Sequence, residues 1–179
     1  MKRVNLLTGR PGSGKTTIIK RLAAGWGAAA GGFYTEEIRS GGARQGFRLI
    51  TLDGESAVLA HTTIKSRYRV GKYGVDIAAL EGIGLAALVR AAGDGKLVVI
   101  DEIGKMELCS EVFRKMVTGI IDDGRSRVLG TIMSSPHPVT DAIKRLDQVS
   151  LIEVTAANRD RVFRELTTLL ITPGEVGHR

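Results

Sequence analysis

The sequence contains a single cysteine, Cys109, and only three histidines in 179 residues. One cysteine excludes an intrachain disulfide and a cysteine-rich metal site, and it is typical of a protein kept in a reducing compartment. His61 and His137 have no acidic or cysteine partner at ligand spacing, and His178 lies close to the C-terminus. We therefore expect a cytoplasmic protein without a histidine- or cysteine-based metal site. Cys109 is interpreted as a packing residue rather than a nucleophile, because no partner motif accompanies it.

Long apolar runs are also missing from the sequence. No run approaches the roughly 20 residues that a membrane-spanning helix needs, and the apolar stretch after Met1-Lys2-Arg3 is too short for a signal peptide. Hydrophobic residues make up 43% of the chain and charged residues 25%, which is ordinary for a globular domain. The net charge of +7 is compatible with nucleic acid or with a polyanionic small molecule as a partner, and charge alone does not choose between them.

Residues 9–16 read GRPGSGKT and fit the phosphate-binding P-loop pattern G-x-x-x-x-G-K-[ST]. Glycines in such a loop let successive backbone N–H groups point inward at an anion. Lys15 can place its charge on the β- and γ-phosphates, and the Thr16 hydroxyl can ligate Mg²⁺. Residues 3–8 predict a strand before the loop and residues 16–24 predict a helix after it, which is the setting this motif requires. We therefore predict a phosphate site at the start of the first helix.

Periodicity and turn signals predict strands that alternate with helices along the rest of the chain. Further strands are predicted at 33–39, 47–52, 56–60, 96–100, 127–132 and 149–154, and further helices at 77–89, 111–120, 140–146 and 158–170, with Asp76 and Ser110 as N-caps. Residues 25–32 are interpreted as a connection and residues 65–74 as an irregular basic segment. The pattern predicts a doubly wound α/β fold with a mostly parallel sheet and an inserted antiparallel β-meander at about 33–60. We expect one domain over 1–170 and a C-terminal tail over 171–179.

Two adjacent carboxylates follow the apolar strand that ends at Ile100. A strand followed by Asp is the Walker B pattern, in which Asp101 holds the metal together with the P-loop threonine. Glu102 can accept a proton from the water that attacks the γ-phosphate. The alternative is that both are loop carboxylates. Thr131 ends the next strand and can contact the γ-phosphate or its water, or can be an ordinary strand threonine.

A basic segment over residues 65–73 interleaves four cationic residues with two aromatic ones. It can be a nucleic-acid patch, a source of a cation and a stacking ring for the nucleotide, or a solvated charged loop. Under the second reading, Lys72 or Arg69 approaches the γ-phosphate and Tyr73 packs near the nucleotide.

Taken together, these segments resemble the THEP-type nucleoside-triphosphatase family, which includes the cancer-related nucleoside-triphosphatase. The similarity rests on residues 9–17, 32–39, 71–76, 99–108 and 153–160, whereas residues 134–138 have no clear counterpart and their role stays open. The resemblance implies a RecA-like P-loop fold, Mg²⁺-dependent hydrolysis of nucleoside triphosphates to diphosphates, and broad base tolerance. It also implies two nucleotide-contacting segments. The first consists of Gly9, Arg10, Pro11, Gly12, Ser13, Gly14, Lys15, Thr16 and Thr17, and the second of Val98, Val99, Ile100, Asp101, Glu102, Ile103, Gly104 and Lys105.

The leading hypothesis is therefore a nucleoside-triphosphate phosphohydrolase. Lys15 holds phosphates, Thr16 and Asp101 hold Mg²⁺, Glu102 activates water, and Lys72 supplies a further catalytic charge. One alternative is a small-molecule or nucleotide kinase on the same scaffold, with residues 65–73 as its lid. Another is a regulatory ATPase that binds nucleic acid, which is not favoured because no nucleic-acid-binding motif appears. No membrane partner is expected, and the sequence does not predict an oligomeric state.

Overall fold

A mixed nine-stranded sheet organises residues 2–171, which are the residues that the computed structural model describes. The strands are β1 (Val4–Thr8), β2 (Ala30–Ser40), β3 (Ala43–Thr51), β4 (Ser56–His61), β5 (Arg69–Val70), β6 (Tyr73–Val75), β7 (Leu97–Ile103), β8 (Arg127–Ile132) and β9 (Val149–Glu153). The α-helices are α1 (Lys15–Trp26), α2 (Ile77–Ala79), α3 (Leu85–Gly93), α4 (Glu111–Asp122), α5 (Pro138–Lys144) and α6 (Arg159–Ile171). A π-helical segment, Leu80–Gly84, joins α2 to α3, and 3₁₀ turns form at Gly27–Ala29 and Glu107–Cys109.

The parallel core of the sheet has the strand order β2-β7-β8-β1-β9. Its strands are covered on both faces, so they read as continuous apolar runs rather than as alternating ones. All four residues from Leu97 to Ile100 are fully buried. Because these strands are parallel, their carboxyl ends meet at one edge of the sheet, where the loops after β1, β7 and β8 come together.

Helices pack on both faces of this core, as the fold class predicts. On one face, α1 and α6 contribute residues such as Ile19, Leu22 and Val162 to an apolar cluster. On the other face, α3 and α4 contribute residues such as Leu88 and Phe113 to a second, larger cluster. The predicted doubly wound α/β fold with an antiparallel extension is therefore confirmed.

Both predicted helix caps form. Asp76 accepts a hydrogen bond from the backbone N–H of Ala79 at 3.0 Å. Ser110 accepts one from the backbone N–H of Phe113 at 3.0 Å. Each bond satisfies an N–H that the first helical turn leaves without a partner. The helix after Asp76 is predicted correctly apart from its π-helical segment.

The antiparallel part of the sheet continues directly from the core. Strand β2 pairs parallel with β7 over its first residues and antiparallel with β3 over the rest. The interpretation of 25–32 as a connection is wrong, because β2 already begins at Ala30. Gly31 and Gly32 look like linker residues, but they permit close packing. A Cβ on Gly32 would lie 2.1 Å from the carbonyl oxygen of Val99, and Gly32 has a φ of +114°.

The basic segment over residues 65–74 is also more regular than predicted. It contains the short antiparallel pair of β5 and β6 at the edge of the sheet. Strand β6 in turn pairs with β4, so the hairpin belongs to the main sheet. Strands of two and three residues are too short for their alternating pattern to be recognised in the sequence.

The last helix, α6, ends at Ile171, and residues 172–179 of the predicted tail lie outside the described residues. Across residues 2–171, none of the helices combines the length and apolar character that crossing a membrane requires.

Candidate active site

The glycine-rich loop lies between the end of β1 and the start of α1, as its motif requires. Gly9 has a φ of +135°, and a Cβ there would lie 2.3 Å from the carbonyl oxygen of Val154. Gly14 precedes α1 in the left-handed region at φ +101°. Both conformations favour glycine strongly over any residue with a Cβ. The sequence therefore shapes this loop through the backbone rather than through side chains.

The loop offers donors and a positive charge to an anion. The first backbone hydrogen bond of α1 runs from Ile18 N–H to Gly14 C=O, so the amides of the first turn are available. Lys15 folds back over the loop, where its Nζ donates to the carbonyl oxygens of Gly9 at 2.9 Å and Arg10 at 3.0 Å. The Ser13 hydroxyl is buried, and none of the residues that the structure describes forms a hydrogen bond with it. This arrangement fits a polyphosphate lying in the loop.

Asp101 is a buried carboxylate whose two oxygens have different surroundings. It is 1% exposed and accepts a hydrogen bond on Oδ1 from the Thr131 hydroxyl on the neighbouring strand. Its Oδ2 is buried and has no hydrogen-bond partner within the described part of the chain. Burial raises the pKa of Asp101, while the hydroxyls of Thr131 and Thr16 and the charge of Lys15 act in the opposite direction. A free carboxylate oxygen beside a P-loop hydroxyl fits Mg²⁺, which takes few protein ligands and completes its shell with phosphates and water.

Glu102 lies on the wall of a cavity beside Asp101. Its side chain lines that cavity together with Lys15. Burial and the charge of Asp101 raise the pKa of Glu102, and the charge of Lys15 opposes them. A carboxylate whose pKa is raised is a better proton acceptor than an exposed one. The structure thus brings together the predicted phosphate, metal and base residues at the carboxyl edge of the sheet.

Glu107 is a third carboxylate in the same place, and the sequence analysis gives it no role. It is 4% exposed, and its Oε2 accepts a hydrogen bond from the Gly104 N–H at 3.2 Å. A Cβ on Gly104 would lie 3.1 Å from Glu107 Oε2 and 3.2 Å from Glu102 Cδ, so the two carboxyl groups flank one glycine. Burial, with the charge of Glu102 second, raises the pKa of Glu107 to about 8. The only signal in the sequence is an acidic residue within an otherwise apolar segment.

The cavity beside Glu102 has a volume of about 450 Å³. Its lining combines the polar side chains of Lys15, Glu102 and Glu107 with residues of the antiparallel strands. The cavity is completed by Gly9, Pro11, Thr35, Phe47, Leu59, Val70, Gly104, Lys105, Met106, Met133, Ser134 and Ser135. One residue from each of β2, β3, β4 and β5 thus lines the same cavity as the phosphate loop. The unmatched segment at 134–138 contributes its first two serines to this cavity.

The predicted catalytic residue Lys72 lies on the exposed turn between β5 and β6. Its Nζ is 5.5 Å from the centroid of the Tyr73 ring, and its carbonyl oxygen accepts a hydrogen bond from Arg69 at 2.9 Å. Val70 of the same hairpin lines the cavity, whereas Lys72 and Arg69 do not. A role for Lys72 in the reaction stays a prediction.

The predicted nucleotide-contacting residues include buried residues of β7 and exposed residues at the P-loop and the start of α1. Val98, Val99 and Ile100 are fully buried in β7, where they position the carboxylates that follow. Arg10 and Thr17 are exposed at the P-loop and on the first turn of α1. Direct contact of these residues with a nucleotide stays a prediction.

Cys109 lies in the loop after β7 and is half-buried against the larger apolar cluster. Its thiol donates to the carbonyl oxygen of Lys105 at 3.3 Å. Burial raises the pKa of Cys109, which disfavours the thiolate that a nucleophile needs. These contacts favour the packing role.

A glycine-rich loop that joins a central parallel strand to a helix, with a buried Asp-Glu pair nearby, defines the P-loop class of nucleotide-binding proteins. Within that class the chain belongs to the NTPase family, whose family model matches residues 5–167. The family resemblance inferred from the motifs is therefore confirmed.

Named relatives match over nearly their whole length. Nucleoside-triphosphatase THEP1 of Thermotoga sp. (strain RQ2) is 48% identical over 165 residues, which cover 92% of this chain and 94% of the relative. The crystal structure of THEP1 from Aquifex aeolicus superposes with a TM-score of 0.88 at 38% identity and covers 94% of this chain and 99% of that one. The solution structure of a human cancer-related nucleoside triphosphatase superposes with a TM-score of 0.81 at 33% identity, covering 98% and 100%.

Proposed function

We propose that this protein hydrolyses nucleoside triphosphates to diphosphates and phosphate, using Mg²⁺. The observation that carries the proposal is the free Oδ2 of buried Asp101, which lies beside Thr16 of the phosphate loop and next to Glu102. The names of the relatives support the same activity.

The phosphate loop supplies binding and charge neutralisation. Backbone N–H groups at the start of α1 hold the phosphates, and Lys15 exchanges its two carbonyl contacts for the β- and γ-phosphates. Those contacts lie on the loop itself, so the exchange requires only a rotation of the lysine side chain. The charge of Lys15 then lies where negative charge develops in the transition state.

Thr16 and Asp101 would hold Mg²⁺, with Thr131 fixing the carboxylate through Oδ1. When bound, the ion would neutralise the negative charge that develops on the transferred phosphate. The hydrogen bond from Thr131 leaves Asp101 little freedom to rotate away from the loop.

Glu102 accepts the proton of the attacking water. The proposal is supported by the cavity that Glu102 and Lys15 line together, because the carboxylate would then act at the γ-phosphate that Lys15 holds. Partial burial keeps competing water away and raises the pKa of the carboxyl group.

Broad base tolerance follows from the surface next to the start of α1. Arg159 packs against Gly14, with its Cδ 3.4 Å from where a Cβ on that glycine would lie. The exposed residues just before it include Ala156 and Ala157, whose side chains have no hydrogen-bonding groups. A nucleobase lying there gains packing contacts but meets few side chains that can hydrogen-bond to its edge. Most of the binding energy then comes from the phosphates and the metal.

Phosphate release from ATP, GTP, CTP and UTP, with Mg²⁺ and with a chelator, tests this proposal. We expect Mg²⁺-dependent release, with kcat/KM for ATP and GTP within about an order of magnitude, or roughly 1.4 kcal/mol. Thr16→Ala should lose the Mg²⁺-dependent activity, while Thr118→Ala on α4 should keep it. A preference of about a thousandfold for one base would contradict base tolerance, and absence of release from every nucleotide would contradict hydrolysis.

A further inference from the structure

The cavity beside Glu102 is much larger than hydrolysis requires. An attacking water needs roughly 10–15 Å³ of such space, whereas the cavity has about 450 Å³, which is the size of a small-molecule site. The γ-phosphate takes part of this space, because Gly9, Pro11 and Lys15 of the phosphate loop also line the cavity. The apolar part of the lining has no use in hydrolysis alone.

One part of the cavity lining, the apolar wall, contains an aromatic side chain. Phe47, Leu59 and Val70 come from three successive strands of the antiparallel part of the sheet. Phe47 is held edge-on against the Tyr73 ring, with 5.4 Å between the ring centroids. Phe47 and Val70 are only half-buried, so part of their apolar surface faces the cavity. Ring-sized apolar ligands bind to surfaces of this kind.

The nucleoside is not the expected occupant of this wall. Lys15 reaches the β- and γ-phosphates and lines the cavity together with Glu102, so the γ-phosphate end of the nucleotide faces the cavity. The surface proposed for the nucleobase, at Gly14 and Arg159, is not part of the lining of this cavity. The cavity therefore meets the nucleotide at its γ-phosphate, which is the group that an acceptor attacks.

We propose that this cavity binds a second substrate, a small alcohol with a ring-sized apolar body, and that the γ-phosphoryl group is transferred to its hydroxyl. The inference rests on the proposed nucleotide site and on Glu102 as its catalytic base. The hydroxyl oxygen attacks the γ-phosphorus and forms a new O–P bond, while the bond from that phosphorus to the β,γ-bridging oxygen breaks. Glu102 takes the hydroxyl proton, and the nucleoside diphosphate leaves with the electron pair of the broken bond. The products are a phosphate monoester and the diphosphate, and water is the acceptor when the cavity is empty.

Benzyl alcohol is the probe for the test, in the presence of ATP and Mg²⁺. Nucleoside diphosphate and free phosphate are measured together, and benzyl phosphate is identified by phosphorus NMR. We expect free phosphate to fall below diphosphate, with the difference recovered as benzyl phosphate. Val70→Trp fills the cavity from the edge hairpin, and it should lower the ratio of benzyl phosphate to diphosphate by at least about tenfold, as a loss of roughly 1.4 kcal/mol in binding does. Val58→Trp, an exposed position on β4, is the matched control and should keep the wild-type ratio.

Phe47→Ala gives a second variant in case Val70→Trp folds poorly, and circular dichroism checks both. Intact ATP hydrolysis with no benzyl phosphate would overturn the inference and leave the proposed function standing. A rise in KM for ATP in both cavity variants, with an unchanged product ratio, would place the nucleobase of ATP in the cavity. That result would also overturn the inference. If ATP is not hydrolysed at all, the proposed function fails instead. Saturation-transfer NMR of benzyl alcohol with the ADP-bound protein then tests the cavity separately, and absence of a signal would overturn the inference.

Discussion

The Thr131 hydroxyl on β8 donates a hydrogen bond to Oδ1 of Asp101 on β7, and Oδ2 of the same carboxylate is buried with no hydrogen-bond partner among residues 2–171. Both residues are almost completely buried. A buried polar atom without a partner is costly, and the proposed cation would remove that cost. Under the proposed function, the pair therefore connects the packing of two core strands to metal binding.

Replacing Thr131 tests this connection. Thr131→Val keeps the shape of the side chain but removes the hydrogen bond to Oδ1 of Asp101. We expect a loss of about 1–3 kcal/mol in the free energy of unfolding, together with a higher Mg²⁺ concentration for half-maximal turnover. Urea unfolding and a Mg²⁺ titration of phosphate release measure the two effects. Thr131→Ser keeps the hydroxyl and should restore the Mg²⁺ response, so an equal defect in both variants would contradict this role.

Lys15→Ala should reduce phosphate release to background while the fold survives. The Nζ of Lys15 bonds only to carbonyl groups of the loop, so its removal leaves the apolar core intact. The lost charge is the one that faces the β- and γ-phosphates. Lys115→Ala, on the exposed side of α4, is the control and should behave as wild type. Normal turnover in a folded Lys15 variant would exclude the assignment of the loop.

Glu107 should make stability depend on pH in the nucleotide-free protein. Its pKa is about 8 in the folded state, above an ordinary value near 4.5, so the folded protein keeps a proton that the unfolded chain loses. The stabilisation is complete below the unfolded pKa and is lost as the pH rises through the folded pKa, by at most about 1.4 kcal/mol per pH unit.

Glu107→Gln removes the titrating group, and thermal unfolding measured from pH 5 to about pH 8 should show a flatter pH dependence than in wild type. The exposed Glu111 gives a control, Glu111→Gln, which should keep the wild-type slope. An unchanged slope in Glu107→Gln would show that Glu107 is not protonated in the folded protein.

The predicted catalytic role of Lys72 requires its hairpin to move toward the nucleotide. If its hairpin closes on the nucleotide, Lys72→Ala should lower turnover more than it weakens ADP binding, because the charge then acts on the transition state. Turnover and ADP affinity measured on the same variant separate these effects, with Lys65→Ala on the same basic segment as the control. Equal losses of ATP and ADP affinity at unchanged turnover would show that Lys72 contributes only a general positive potential. Loss of nucleic-acid binding alone would assign the segment to that alternative.

Local motifs explain why the sequence predicts the phosphate loop and the helix caps. The residues around Lys15 and the cap at Asp76 need only their neighbours in the chain to define them. The sequence does not predict the role of Gly31 and Gly32, because these glycines accommodate Ala91 and Val99, which are distant in sequence.

The sequence does not predict the apolar wall or the burial of Glu107, for a related reason. Phe47 and Val70 line the same cavity as the phosphate loop although they are distant from it in sequence, and no short-range pattern encodes that arrangement. The burial of Glu107 depends on how the loop after β7 packs against Gly104. Such features follow from tertiary packing rather than from spacing along the chain.

Phosphate release by Glu102→Gln tests the central claim most directly. Glutamine keeps the size of the side chain but cannot accept the proton of the attacking water. Single-turnover release from ATP and equilibrium binding of ATP are measured for wild type and variant at the same Mg²⁺ concentration. We predict unchanged affinity with turnover lowered by roughly 10²-fold or more. Release at the wild-type rate would contradict the account, because the base would then have to be a group other than Glu102.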